Sequence, residues 1–204
     1  MAHEAGAIAE VLPIVKDERD SLFKAVQDAM ADYDMVCMIA GSSAGRDDYT
    51  VNIAEELGEV YVHGISIKPG KPAILSKIDS KPFIGLPGFP VSGHIIFGEI
   101  IAPILRKRAH IPTPEQVTLR AKLTKNVVSS LKYQEYIRVK VGKIGDSYSA
   151  TPMDRGAGAS MSLALSDGYV IVPQRSEGYE RGTEVDVVLH EPIPSSVLEN
   201  RLVI

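Results

Sequence analysis

The fold is decided by three loops that each follow an apolar run: Ala40-Gly41-Ser42-Ser43-Ala44-Gly45-Arg46-Asp47-Asp48-Tyr49, Lys68-Pro69-Gly70-Lys71-Pro72 and Gly85-Leu86-Pro87-Gly88-Phe89-Pro90-Val91-Ser92. In an open α/β sheet the carboxyl ends of the strands meet at one crevice, where ligands bind. Glycine and serine leave backbone N–H groups accessible there, and the second loop adds two lysines. We therefore predict one composite site for an anion, with phosphate as the expected group.

Composition limits the classes of function open to this chain. Its 204 residues are enough for one large or two small domains, and its formal net charge is −4. That charge gives no electrostatic case for binding nucleic acid or an anionic membrane. No apolar run reaches the roughly 18 residues of a membrane span, and the first residues lack the pattern of a secretory signal. The single cysteine, Cys37, fits a reducing, cytoplasmic compartment.

Residues 1–110 are predicted to form an incomplete doubly wound α/β domain. The almost wholly apolar run 34–40 is typical of a central parallel strand that is covered on both faces. Asp17 or Asp20 is the candidate N-cap of the first helix, Gly58 is a candidate C-cap, and Pro103 is expected to kink or end the last helix. The predicted elements are strands over 9–15, 34–40, 59–67, 73–78 and 82–84, and helices over 17–33, 48–57 and 91–107.

The pattern changes at a linker over His110–Pro114, and residues 114–204 are predicted to form a small β-barrel domain. Short runs that alternate between apolar and polar residues follow one another there, separated by turn residues around Gly145 and Gly182. The predicted strands are Val117–Leu123, Tyr136–Ile144, Tyr148–Pro152, Gly168–Pro173 and Glu184–Leu189.

Each candidate side chain in the loops has a structural and a functional interpretation. Asp47 or Asp48 is either an N-cap or a carboxylate that holds Mg²⁺ against phosphate oxygens. Ser42 and Ser43 either donate hydrogen bonds to the ligand or simply occupy a turn. Lys68 and Lys71 either bind phosphate or an oxyanion such as molybdate, or are solvated surface lysines. Arg155, in a glycine-rich loop of the second domain, either reaches an anionic ligand or is solvated.

In order, the three loops make the chain resemble the molybdopterin molybdenumtransferase family, which includes the E domain of gephyrin. The resemblance runs from about Val15 to about Leu189. Gly58-Glu59-Val60 adds to it between the first and second loops, and Thr151-Pro152 with Gly156-Ala157-Gly158-Ala159 resembles the carboxy-terminal barrel of the family. One such motif alone is weak evidence for the resemblance, whereas the ordered set of motifs is strong evidence for it.

The resemblance implies an activity and a set of site residues. Family members bind adenylylated molybdopterin and molybdate with Mg²⁺, insert the metal and release AMP. By position Asp48, Lys68, Lys71 and Asp17 match catalytic residues, with Asp48 also the metal ligand. The implied substrate-binding residues are Gly41, Ser42, Ser43, Gly45, Pro69, Gly70, Pro87, Gly88, Pro90 and Ser92.

The chain also departs from the family pattern. The Gly-Asp-Glu strand, the following helix with its Asn and the two amino-terminal family domains are absent, and Phe89 stands where bacterial members usually have Asn. We therefore expect the carboxy-terminal part of a longer protein or a shortened paralogue, with little activity alone and with homodimerisation belonging to the full-length form. The alternative is a non-catalytic module that binds molybdopterin or a nucleotide. The Lys-Pro-Gly-Lys-Pro loop and the barrel argue against the related adenylyltransferase.

Overall fold

The computed structural model describes residues 1–39, 49–155 and 160–193. The chain forms two compact units, one of Met1–Ile65 with Gly70–Thr113 and one of Ser66–Pro69 with Pro114–Ile204. Two stretches singled out above lie outside the described residues. They are the first loop over 40–48, which carries Gly41, Ser42, Ser43, Gly45 and Asp48, and the glycine-rich segment 156–159.

The first unit contains a mixed four-stranded sheet with helices packed on it. A short 3₁₀ turn (His3–Ala5) precedes the regular elements. In chain order these are α1 (Arg19–Asp32), β1 (Val36–Ile39), α2 (Tyr49–Leu57), β2 (Glu59–His63), β3 (Ile67–Lys68, in the second unit), β4 (Ile74–Ile78), β5 (Lys81–Leu86), α3 (Pro90–Ile96), a π-helical turn (Phe97–Ile101) and α4 (Ala102–Ala109). The strand order is β1-β5-β4-β2, with β1 parallel to β5 and the other neighbours antiparallel.

Strand β1 is covered on both faces, as predicted, but it is not central. Val36 and Met38 pack against one apolar cluster and Cys37 against another. Among the described residues its sheet neighbour is β5, so it stands at an edge, and Ile39 is 69% exposed. An apolar run indicates that other residues cover the side chains of a strand, but it does not indicate which strands pair with its backbone. The prediction of a central strand was wrong for that reason.

The predicted strand over 9–15 is also wrong, because this segment is irregular in the structure. Ile8, Val11 and Ile14 are almost fully exposed. Helix α1 begins at Arg19 rather than Asp17, and its N-cap is Glu18, whose side chain makes no capping hydrogen bond. The predicted caps Asp17 and Asp20 were therefore wrong. An apolar run becomes a strand only where a neighbour accepts its backbone hydrogen bonds, and no strand pairs with this run among the described residues.

The predicted strand 59–67 is interrupted at Gly64, which divides β2 from β3. Gly58 follows α2 as expected, but it does not have the left-handed conformation of a glycine C-cap. A Cβ built at Gly58 would lie 2.0 Å from the carbonyl oxygen of Lys77. The backbone of β4 therefore approaches this position so closely that only glycine fits.

Pro103 does not end the last helix of the first unit. The helical backbone runs through α3, the π-helical turn and α4, and Pro103 occupies the first turn of α4. Proline lacks the N–H that the α-helical ladder needs, and its ring displaces the carbonyl four residues earlier. The wider π-helical turn immediately before Pro103 accommodates both the missing N–H and the displaced carbonyl. Pro103 therefore changes the helix type locally and does not end the helix.

The second unit is a closed barrel, which confirms the predicted fold class. Its elements are β6 (Thr118–Leu123), β7 (Val127–Val128), β8 (Gln134–Ile144), β9 (Ser147–Pro152), α5 (Ser160–Leu165), β10 (Gly168–Val172), β11 (Gly178–Tyr179) and β12 (Glu184–Leu189), together with β3. The ring runs β10-β12-β6-β9-β8 and closes through the β10–β8 pairing. All five predicted barrel strands are present. Alternate residues fill the interior, and Val139, Val141, Ala150, Val172 and Val187 have no exposed surface.

Among the described residues, none of the helices combines the length and apolarity needed to cross a bilayer.

Candidate functional site

The sheet of the first unit brings two of the predicted loops to one edge. Strand β5 ends at Leu86, and the third loop continues from it. Strand β4 runs antiparallel to β5 with Ile74 opposite Gly85, so the residues just before Ile74, including Lys71, reach the same edge. Strand β1 is parallel to β5 and its last residue, Ile39, pairs with Leu86. Strand β2 is antiparallel to β4 with His63 opposite Ile74, so the edge is reached by the carboxyl ends of β1, β2 and β5 and by the amino end of β4.

The third loop places polar backbone and an exposed ring at this edge. Pro87 is buried, whereas Gly88 and Pro90 are exposed and Phe89 keeps 61% of its surface exposed. Phe89 is the N-cap of α3 and Pro90 occupies the first turn, where its missing N–H costs no hydrogen bond. Ser92, also a predicted binding residue, is only 4% exposed.

The backbone around Lys71 is held firmly while its side chain remains in solvent. The carbonyl of Lys71 accepts a hydrogen bond from the N–H of Ile65 at 2.8 Å, and the N–H of Ala73 donates to the carbonyl of Gly70 at 3.2 Å. Gly70 is buried with φ +132°, a conformation that L side chains rarely adopt. The ammonium of Lys71 is thus presented from a fixed turn, as the two prolines of this loop predict.

Lys68 lies in the second unit and is held there by β8. Residues Ile67–Lys68 pair in parallel with Gln134 and Glu135, and the next peptide bond, Lys68–Pro69, is cis. The Lys68 Nζ donates to Oε1 of Glu135 at 3.3 Å. The sequence placed this lysine in the first domain, and the structure assigns Ser66–Pro69 to the barrel unit instead.

Glu135 is a functional candidate that sequence reasoning missed. Its side chain is 2% exposed, and its Oε1 also accepts the backbone N–H of Ser130 at 3.1 Å. Its Oε2 lies 3.7 Å from an Nη of Arg155, the arginine singled out from the glycine-rich loop. A buried carboxylate persists in a fold only where charged or hydrogen-bonding partners compensate it. The signal available in the sequence was a glutamate placed immediately before the predicted barrel strand Tyr136–Ile144.

Arg155 is held by its surroundings as well as by Glu135. Its guanidinium donates to the carbonyl of Val128. The guanidinium of Arg138 donates from Nη2 to the carbonyl of Asp154, the residue before Arg155, at 2.6 Å and from Nε to the hydroxyl of Ser162 at 2.9 Å. Burial lowers the pKa of Arg138 below its ordinary value. The buried Arg138 therefore holds in place, through these hydrogen bonds, the segment that carries Arg155.

The other candidates show little preorganisation. Asp17 is exposed ahead of α1. Burial raises the pKa of the Cys37 thiol to about 11, so it is a thiol and not a nucleophilic thiolate near neutral pH. Within residues 1–39, 49–155 and 160–193, no group of three His, Cys, Asp or Glu side chains is arranged to hold a metal ion.

Comparison with protein families identifies both parts of the chain. Residues 1–107 match the model described as a probable molybdopterin binding domain. Residues 120–190 match the model described as the MoeA C-terminal region, domain IV. The two matches occur in the order in which the two structural units follow one another.

Individual relatives agree with this match. The chain is 36% identical over 184 residues to a putative molybdopterin biosynthesis protein of Methanocaldococcus jannaschii, covering 90% of this chain and 43% of the relative. It is 30% identical over 190 residues to the molybdopterin molybdenumtransferase of Bacillus subtilis, covering 92% and 44%. The chain therefore spans less than half the length of these curated relatives.

Solved structures of molybdopterin and molybdenum cofactor biosynthesis proteins also resemble this chain. The chain superposes on a molybdopterin biosynthesis MoeA protein from Pyrococcus horikosii with a TM-score of 0.71 and 33% identity, covering 88% of this chain and 43% of that one. A molybdenum cofactor biosynthesis protein from Pyrococcus furiosus gives a TM-score of 0.68 and 27% identity, with 87% and 56% coverage.

Proposed function

Because the chain belongs to the molybdopterin-binding domain family and carries the MoeA C-terminal region after that domain, we propose that it serves the insertion of molybdate into adenylylated molybdopterin with release of AMP. Relatives named molybdopterin molybdenumtransferase support the reaction class. The observation that carries the proposal is the edge of the first sheet, where the fixed turn at Lys71 and the Pro87–Pro90 loop arrive together.

The chemistry of these residues suits a polyanionic ligand. Adenylylated molybdopterin carries a phosphoric anhydride, and molybdate is a second oxyanion. The ammonium groups of Lys71 and Lys68 are compact point charges that compensate such anions without fixed directionality. Phe89 exposes an aromatic face that suits stacking on a pterin or adenine ring. In this proposal the side chains bind and orient the ligand, and the chemical step exchanges oxygen ligands of molybdenum for dithiolene sulfurs while the anhydride is hydrolysed.

Magnesium enters the proposal through the resemblance alone. Asp48 is the carboxylate that would hold the ion, which would neutralise phosphate charge there. The described residues supply no alternative group of three His, Cys, Asp or Glu ligands for the ion.

A second candidate is a non-catalytic module that binds molybdopterin or a nucleotide. The observation favouring it is that the chain spans only 43–44% of the first two relatives, so their activity does not transfer automatically. The module would use the same loops and lysines but would release no AMP.

Two assays on one set of variants separate the candidates. Adenylylated molybdopterin with Mg²⁺ is titrated against the wild type, Lys71→Ala, Lys68→Ala and Asp48→Ala, and molybdate-dependent AMP release is then followed. Each substitution should weaken binding about tenfold, because each removes one charge-assisted contact or the metal ligand. The exposed Lys16→Ala should bind like the wild type.

AMP release by the wild type that requires molybdate supports the transferase. Binding that is weakened in the three variants, with no molybdate-dependent AMP from any of them or from the wild type, supports the module. Equal binding by the wild type and all variants would contradict both.

A further inference from the structure

A buried carboxylate in the second unit holds two cations that remain accessible to solvent. Glu135 is 2% exposed, whereas the side chains of Lys68 and Arg155 keep 54% and 41% of their surface exposed. The two cations use different carboxylate oxygens, Oε1 for Lys68 at 3.3 Å and Oε2 for Arg155 at 3.7 Å. Both charged ends therefore lie within 4.0 Å of one carboxylate, and both side chains remain accessible to solvent.

This arrangement differs from an ordinary surface ion pair, in which both partners are mobile and little energy is gained. Glu135 lies in strand β8 of the closed barrel, and its carboxylate is held by a hydrogen bond from the N–H of Ser130. Arg155 is additionally fixed by the carbonyl of Val128, and Lys68 by the pairing of β3 with β8. The cations are thus preorganised, and ordering them on ligand binding costs less conformational entropy.

The charges of this group do not cancel. Two cations share one anion, which leaves a formal charge of +1 around Glu135. A tetrahedral oxyanion that approaches from solvent meets both cations and is repelled by the carboxylate behind them. The buried carboxylate therefore weakens the attraction that the two cations would otherwise exert.

We propose that Glu135 is an internal counter-ion which competes with a bound oxyanion for Lys68 and Arg155 and so sets how tightly that anion is held. The inference rests on the proposed function, since it concerns Lys68, and it adds Arg155 as a binding residue and Glu135 as the residue that tunes affinity. The ligand is a dianionic tetrahedral oxyanion, either free molybdate or the terminal phosphate that molybdopterin carries once the anhydride has been hydrolysed.

The test consists of separate calorimetric titrations of the full chain with molybdate and with inorganic phosphate at low ionic strength. Glu135→Gln keeps an oxygen for the Ser130 N–H and removes the charge, so oxyanion binding should tighten about tenfold. Arg155→Gln removes a cation from a half-exposed position and should weaken binding about tenfold. Glu180→Gln makes the same charge change at an exposed turn of the same unit and should leave the Kd unchanged.

The outcomes separate this inference from the function on which it rests. A gain in Glu135→Gln for molybdate alone identifies free oxyanion as the ligand, a gain for phosphate alone identifies the pterin phosphate, and either supports the inference. Wild-type binding of an oxyanion with no gain in Glu135→Gln overturns the inference and leaves the proposed function standing. Absence of oxyanion binding in the wild type and in every variant overturns the inference and the assigned role of Lys68 together.

Thermal unfolding of each variant verifies that it is folded. Should Glu135→Gln not fold, Arg155→Gln still tests whether Arg155 binds the oxyanion, because its side chain is not buried. An Arg155→Gln affinity equal to that of the wild type would then overturn the inference.

Discussion

His190, at the end of β12, shows how burial in the barrel changes the chemistry of a single side chain. Its Nε2 lies 3.0 Å from the hydroxyl of Ser166, and its ring lies 5.8 Å from that of Tyr169. Burial lowers the pKa of His190 below its ordinary 6.5, although Asp167 and Glu191 act in the opposite direction. The folded state therefore favours the neutral imidazole.

This lowered pKa predicts a dependence of stability on pH. Between the folded and unfolded pKa values the unfolded chain binds the extra proton, so the free energy of unfolding falls as the pH drops below about 6.5. His190→Gln should show a shallower fall between about pH 7 and pH 5 in urea unfolding experiments. An unchanged slope in His190→Gln would contradict the assignment.

Single residues also show which members of the candidate site could be predicted from the sequence and which could not. Lys71 and Phe89 were identifiable because their loops carry local turn chemistry that is visible in the sequence. Glu135 was not, because its importance comes from contacts with residues 67 positions before it and 20 positions after it. Such pairings are set by the tertiary fold and leave no local pattern.

The β4–β5 hairpin illustrates an element whose turn is defined by two residues. Asp79 and Ser80 have φ values of +48° and +73°, which is the combination required by a two-residue type I′ turn. This turn matches the twist of the flanking strands, and both residues are exposed. Serine in a left-handed conformation is strained by its Cβ, whereas glycine is not.

Ser80→Gly should therefore raise the free energy of unfolding by about 0.5–1 kcal/mol, after allowance for the greater freedom of glycine in the unfolded chain. Denaturant unfolding provides the measurement. Ser80→Ala, which loses the hydroxyl but keeps the Cβ, should show no such gain. A Ser80→Gly protein no more stable than the wild type would show that this turn is unstrained.

At the level of elements, the barrel strands were predictable, whereas the position of β1 at the side of the first sheet was not. Alternation of apolar and polar residues is a local property that survives closure into a barrel, and all five predicted strands are present. The position of β1 at an edge and the irregular course of residues 9–15 depend on which strands are available as neighbours. The amino-acid pattern of a strand does not carry that information.

The molecule as a whole consists of two units, and the candidate site is built on the sheet of the first unit. Three segments far apart in the sequence approach one sheet edge, because β1 and β5 end there and β4 begins there. Each loop was predicted to follow the carboxyl end of a strand, and β2, which precedes the second loop, ends at this edge with His63 opposite Ile74. The second and third loops therefore reach one edge, although β4, which lies between them in the chain, is antiparallel to its neighbours.

Hydrogen exchange of the chain with and without adenylylated molybdopterin and Mg²⁺ tests most directly whether this edge binds the pterin ligand. Bound ligand shields exposed backbone amides and slows local opening. We predict slower exchange in peptides covering Gly70–Ala73 and Leu86–Phe89, and less protection in Lys71→Ala than in Lys16→Ala. Protection confined to the barrel strands, or absent from both loops, would contradict the assignment of the site.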